Sequence, residues 1–145
     1  MYFVERRKIE KTLDYIDGLL EEVNEGAFTS RLQKLALERI VHMLAEAILD
    51  VGNMMIDGFI MRDPGSYTDI IDILVDERVL PPNEEASYKD VIELRQMIVK
   101  HYLTIDHNEV KQRLMKQKPT LASFSHHIRS YLNNELGVAN TFVNE

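Results

Sequence analysis

The segment ELRQMIVKHYLTID, residues 93–106, sets an arginine, a histidine and a tyrosine among apolar residues at helical spacing. These residue types can act together. A guanidinium offers several N–H donors to an anion, and a histidine can take or give a proton near neutral pH. With Ile98 as the centre of the apolar stripe and ~100° per residue, Arg95 lies about 60° to one side and His101 about 60° to the other, with Tyr102 about 40° from centre. All three are therefore expected to border the buried face. Arg95 and His101 are separated by roughly 9 Å of helix rise, so their long side chains can converge on one phosphate. A plain structural account is equally complete: Arg95 forms an ion pair at the edge of a core, and His101 and Tyr102 simply fill space. A guanidinium at a core edge requires a carboxylate, because an unpaired buried charge is costly.

A second element offers that carboxylate. From Ile40 to Ile56 nearly every residue is apolar or glycine, except His42, Glu46, Asp50 and Asn53, and Asp57 follows. These five recur at steps of four, four, three and four, which draws one narrow polar lane along a helix. A helix apolar around most of its circumference belongs in the middle of a bundle. Its lane then faces either water or the polar groups of a neighbour, and Glu46 or Asp50 is the expected partner of Arg95.

The elements that must position these lanes are helical nearly throughout, with no persuasive alternating strand and no internal repeat. The spacing predicts helix 1 over about Val4–Val23, with Ile9, Leu13, Ile16 and Leu20 on one stripe. Ser30 caps a long helix 2 to about Ile60, with Gly52 and Gly58 positioned to bend or end it. Pro64-Gly65 makes a turn and Ser66 caps a short helix 3 to about Asp76. Pro81-Pro82 breaks the chain, Asn83 caps helix 4, and that helix runs to about Thr104. Asp106 and Glu109 suggest a capping box for helix 5. Pro119 should kink or interrupt helix 5, and Gly137 should stop it. The expected architecture is an all-α antiparallel four-helix bundle with one extra short helix: a single domain over residues 1–137 and a loose tail over 138–145.

Composition narrows the function. At 145 residues and 45% hydrophobic, the chain is sized for one core. It has no cysteine, which removes disulfides and thiolate metal sites and suits a reducing compartment. The start, MYFVERRKIEK, is charged by residue 5 and lacks the apolar stretch of a signal peptide. No apolar run approaches the ~18 residues of a membrane span, so a cytoplasmic protein without a membrane partner is expected. Residues 84–145 hold eight acidic and eight basic side chains, so the net charge of −7 resides in the first 83 residues. Overall acidity opposes strong nonspecific nucleic-acid binding, although Lys111, Arg113, Lys116 and Lys118 form a local basic cluster. His101, Asp106 and His107 span an expected helix break and specify no metal geometry. The DPGSY turn has no lysine and is not a phosphate-binding loop. No metal or other cofactor is expected.

The residues 93–106 resemble the signature segment of HEPN domains of the HepT type. In these an arginine is followed after four to six residues by histidine, with a tyrosine seven residues after the arginine; Arg95, His101 and Tyr102 fit. The stretch EAILDVGNMMIDGFIMRDPGSYTDIIDILVDERVL is similar to helix 2, the turn and helix 3 of the same proteins, closest to a branch found in Firmicutes. The resemblance implies a homodimeric helical bundle and a toxin-type, metal-independent endoribonuclease. Arg95 and His101 would be catalytic, with Glu46, Asp50 and Asn53 as a supporting polar lane. It also implies a minimal nucleotidyltransferase antitoxin that adenylylates the motif tyrosine, here Tyr102. RNA carries its own 2′-hydroxyl nucleophile, so an acid–base histidine and a charge-stabilising arginine suffice. The commonest HepT pattern has asparagine after the arginine and histidine five residues after the arginine. Here those positions hold Gln96 and Lys100, so Lys100 becomes a phosphate-binding candidate. The alternative implied by this departure is a catalytically degenerate dimer that binds RNA, a nucleotide or a protein. A plain interaction protein that uses only its bundle surface is a third reading.

Overall fold

A computed structural model describes residues 4–135 and 142–143. Six α-helices carry the described chain: α1 (Arg6–Glu21), α2 (Arg31–Gly58), α3 (Tyr67–Asp76), α4 (Glu85–Lys100), α5 (His107–Ala122) and α6 (Phe124–Asn134). Short 3-10 turns stand at Pro82–Glu84 and Tyr102–Thr104. Val4–Glu5 and Phe142–Val143 pair in parallel as β1 and β2, two residues each. The stop expected at Gly137 and most of the tail over 138–145 lie outside the described residues.

The helix starts follow local chemistry. Ser30 and Gln33 form a complete capping box at the head of α2, satisfying donors that the first turn leaves free. Ser66 Oγ accepts from the Asp69 N–H at 3.1 Å to open α3, and Asp106 does the same for Glu109 to open α5. Asn83 does not cap α4; it sits inside the 3-10 turn that Pro82 begins. Pro119 stays within α5, but the helix ends three residues later. At that point the Ser123 N–H turns to the Thr120 carbonyl and α6 begins, so the expected single helix 5 is two.

Helix α2 occupies the centre, packed against α1, α3, α4 and α5. Its buried residues, from Leu37 to Gly58, cover most of its circumference. Ile9, Leu13, Ile16 and Leu20 of α1 are all buried against the core, as their spacing requires. Glu46 meets α4 at Arg95, whereas Glu38 meets the start of α5 at His107, so the numbers fall on one side as they rise on the other. That order makes α2 antiparallel to α4 and its continuation. The basic cluster on α5 holds the bundle together: Arg113 pairs with Asp90, and Lys118 and Lys111 donate to the carbonyls of Val23 and Glu25. Lys116, the remaining member of that cluster, is exposed.

The two glycines expected to bend or end α2 act differently. Gly58 is its last residue. Gly52 is a contact point: a Cβ there would lie 2.5 Å from Ile70 Cγ2 and 3.4 Å from Leu74 Cδ1 of α3. A branched side chain anchored at its own Cβ cannot swing away from that overlap. Gly52→Ala should therefore lower stability by up to about 2 kcal/mol, since overpacking of about 1–3 kcal/mol opposes a helix-propensity gain of about 1 kcal/mol. Gly18, exposed on α1 with nothing within 4 Å of its added Cβ, should show the propensity gain alone. Urea unfolding of the two variants should move in opposite directions.

Candidate active site

Arg95 projects from the middle of α4 toward the polar lane of α2. Its Nε donates to Glu46 Oε1 at 2.6 Å, and the side chain is 18% exposed. The guanidinium lies over the Tyr67 ring, 5.2 Å from its centroid. Tyr67 is the first residue of α3, so the Ser66 cap that starts α3 also sets the ring in place. Three helices thus fix one guanidinium: a charge-assisted hydrogen bond along one edge and an aromatic face beneath. Both Nη nitrogens lack a partner among the described residues. That outer edge is the fork that grips carboxylate or phosphate through two parallel bonds.

The rest of the lane is more open. His42 Nε2 stands 3.8 Å from Glu46 Oε1. Asp50, Asn53 and Asp57 are exposed, so the lane opens to water away from the point where Arg95 crosses it. Asn53 and Tyr67 line a shallow cavity of about 450 Å³ together with the Pro64–Ser66 turn.

Helix α4 ends at Lys100, four residues earlier than its apolar spacing suggests. His101 is its C-cap, with φ −118° and ψ 42°, and its N–H still bonds to the Met97 carbonyl at 2.8 Å. Tyr102 lies in the 3-10 turn beyond. Lys100, His101 and Tyr102 are all exposed, so the histidine and tyrosine do not border the buried face as continuous helix geometry implied. No hydrogen bond or ion pair joins His101 to Arg95 among the described residues. The last i→i−4 bond reaches His101, so the histidine keeps its ~100° offset from Lys100, and the backbone leaves the helix after it.

Two features escaped sequence reasoning. Tyr67 reads as a packing residue, yet it supports the Arg95 guanidinium. Its place directly after a capping serine was the available signal. Glu38 and His107 are 69 positions apart, and His107 Nε2 lies 2.7 Å from Glu38 Oε2. No spacing rule links them. Among the described residues, no group of three His, Asp or Glu side chains converges to hold a metal. No helix there is long and apolar enough to cross a membrane.

An all-α bundle with an arginine held at the surface of its motif helix, and a histidine and tyrosine where that helix ends, defines a HEPN-type protein. The chain belongs to the family described as Ribonuclease HepT-like, which residues 9–128 match. A protein of Bacillus subtilis (strain 168) described as "Putative RNase YutE" is 48% identical over 143 residues, covering 98% of this chain and 99% of that protein. A solved structure of YutE from Bacillus subtilis, described as a cytosolic protein of unknown function, matches with a TM-score of 0.89 at 48% identity. It covers 98% of this chain and 100% of that one. The Firmicutes assignment drawn from residues 93–106 and the helix 2–3 stretch agrees with these relatives.

The lane carries its own electrostatic signature. Asp50 is exposed at its tip but rooted on apolar helix surface. Partial burial, then the Glu46 charge, push its carboxyl above the usual range, while Lys8 pulls it down. A raised folded-state value means that ionising Asp50 costs stability. The cost is complete above that value and absent below the ordinary value of ~3.9. Asp50→Asn should therefore melt at a slightly higher temperature than the parent at pH 7, with the difference gone near pH ~3. Thermal melts across that range test the sign.

Proposed function

We propose that this protein is a metal-independent endoribonuclease of the toxin type, acting as a homodimer in the cytoplasm, with residues 1–137 as one functional domain. The observation that carries the reading is the Arg95 guanidinium, anchored through Nε with its Nη edge unpartnered among the described residues. The aromatic face stabilises a guanidinium whatever its role, but neutralising Glu46 makes no use of the open Nη edge. An arginine that must meet the charge building on a phosphorane gains a fixed position and two parallel donors. In this reading His101 moves the proton of the 2′-hydroxyl or of the leaving oxygen, its reach set by the loop that follows α4. Lys100 adds a phosphate contact. Glu46, Asp50 and Asn53 form the support behind Arg95. Tyr102, 66% exposed, is open to adenylylation by a minimal nucleotidyltransferase antitoxin.

Dimerisation is supported by apolar side chains left on the surface at the same end of the bundle. Leu32, at the head of α2, is 78% exposed, and Val99, in the last turn of α4, is 42% exposed. A second copy covering them would bring two α4 ends together.

One observation favours a second reading, a degenerate dimer that binds RNA, a nucleotide or a protein without cutting RNA. Among the described residues no hydrogen bond or ion pair orients the His101 side chain, and Lys100 occupies the family histidine position.

The test is cleavage of labelled RNA by pure protein in chelator, with sedimentation of the same samples. The nuclease reading expects a dimer, and a loss of about a hundredfold or more in Arg95→Ala and His101→Ala. Arg95→Lys, which keeps the charge but not the fork, should fall between parent and alanine. An intact RNA in every sample contradicts the nuclease and leaves the binding module.

A further inference from the structure

A groove of about 620 Å³ lies between the first turns of α2 and the chain that leaves α4. It continues into a second cavity of about 540 Å³ that shares Lys34, Ile105 and His107. Both volumes fall in the usual ligand range of ~300–1,000 Å³. Arg31, Lys34 and the His107–Glu38 pair supply polar groups, and Tyr102 and Leu103 supply apolar surface.

We infer that this groove is the subsite for the single-stranded RNA next to the bond to be cut, with Arg31 and Lys34 holding a backbone phosphate and Tyr102 stacking on a base. The inference rests on the ribonuclease reading above and assigns it a substrate-binding surface.

Three independent features support it. Arg31 and Lys34 are exposed and have no side-chain partner among the described residues, whereas the cations of α5 are largely committed to neighbouring groups. They are three apart on one helix, so they share a face. They also stand at the head of α2, whose first turn holds no acidic residue. The positive end of a helix favours anions, so two cations there repel the helix dipole and each other. An anion lying across both relieves that repulsion. Tyr102, opposite them, follows Lys100 and His101 in the chain by two and one residues. Sequence-tolerant binding of a single strand combines these two elements, cations along the backbone and an aromatic face for a base. The His107–Glu38 hydrogen bond ties the head of α5 to α2 and fixes the groove floor.

The experiment is anisotropy of a short fluorescein-labelled 2′-O-methyl RNA, which cannot be cut, over a salt series. It is paired with cleavage of the ordinary RNA in chelator. Arg31→Ala with Lys34→Ala should weaken binding about tenfold and reduce the log–log salt slope by about 0.7, for the one phosphate no longer neutralised. Tyr102→Ala should weaken binding about fivefold or more, while Tyr102→Phe binds as the parent does. The altered residues are exposed, so no variant should melt below the parent and unfolding is not the cause. Unchanged affinity and slope in the double variant overturn the groove, and if the parent still cuts RNA the nuclease reading survives alone. Groove-dependent binding with no cleavage upholds the groove and removes the nuclease. No binding by the parent overturns the groove outright.

Discussion

Helix α2 constrains everything around it. A 28-residue helix that is apolar on most of its surface must be surrounded, and α1, α3, α4 and α5 surround it. The lane left polar is a place where a neighbouring helix can present a charged group to it. Arg95 of α4 takes that place, with Glu46 as its partner. Gly52 lets α3 lie close to α2, which brings the head of α3, and with it Tyr67, beside the same guanidinium. The seat of Arg95 is thus a consequence of how the core closes.

The arginine and the histidine of the motif are held in different ways. Arg95 is mid-helix, half-buried and fixed on two sides. His101 stands where the helix ends, exposed, and its backbone N–H is what engages the helix. In the proposed ribonuclease the arginine is the rigid anion-binding group, and the reach of the histidine depends on what covers the end of α4. Lys100, the last residue of α4, lies in the last turn, where a helix favours cations, so its position also has a structural reason.

Local rules made most of the fold legible. Ser30, Ser66 and Asp106 announce helix starts because their side chains satisfy nearby backbone donors, which requires no tertiary knowledge. The stripes on α1 and α2 are legible because burial follows a 3.6-residue period. The end of α4 was not legible for the opposite reason. Val99, Leu103 and Ile105 carry an apolar pattern across Lys100, and no glycine or proline marks the stop, yet Leu103 faces solvent while Ile105 packs against the core from beyond the helix. At the site, the partner of Arg95 was legible as Glu46 or Asp50, because a guanidinium at a core edge needs a carboxylate and the polar lane of α2 supplies these two; the structure chooses Glu46. The Glu38–His107 pair and the groove beside it were not, because they depend on how the loop after α4 returns to α2.

The central claim is that Arg95 is seated by Glu46 but acts on RNA through its free edge. A double-mutant cycle of Arg95→Ala and Glu46→Ala, read on both unfolding free energy and RNA cleavage in chelator, separates the two roles. The account predicts a coupling of about 1 kcal/mol in stability, cleavage weakened by Glu46→Ala, and cleavage absent from both proteins that lack Arg95. Cleavage that persists without Arg95, or that returns when Glu46 is removed with it, would show that the pair is structural and that the chemistry lies elsewhere.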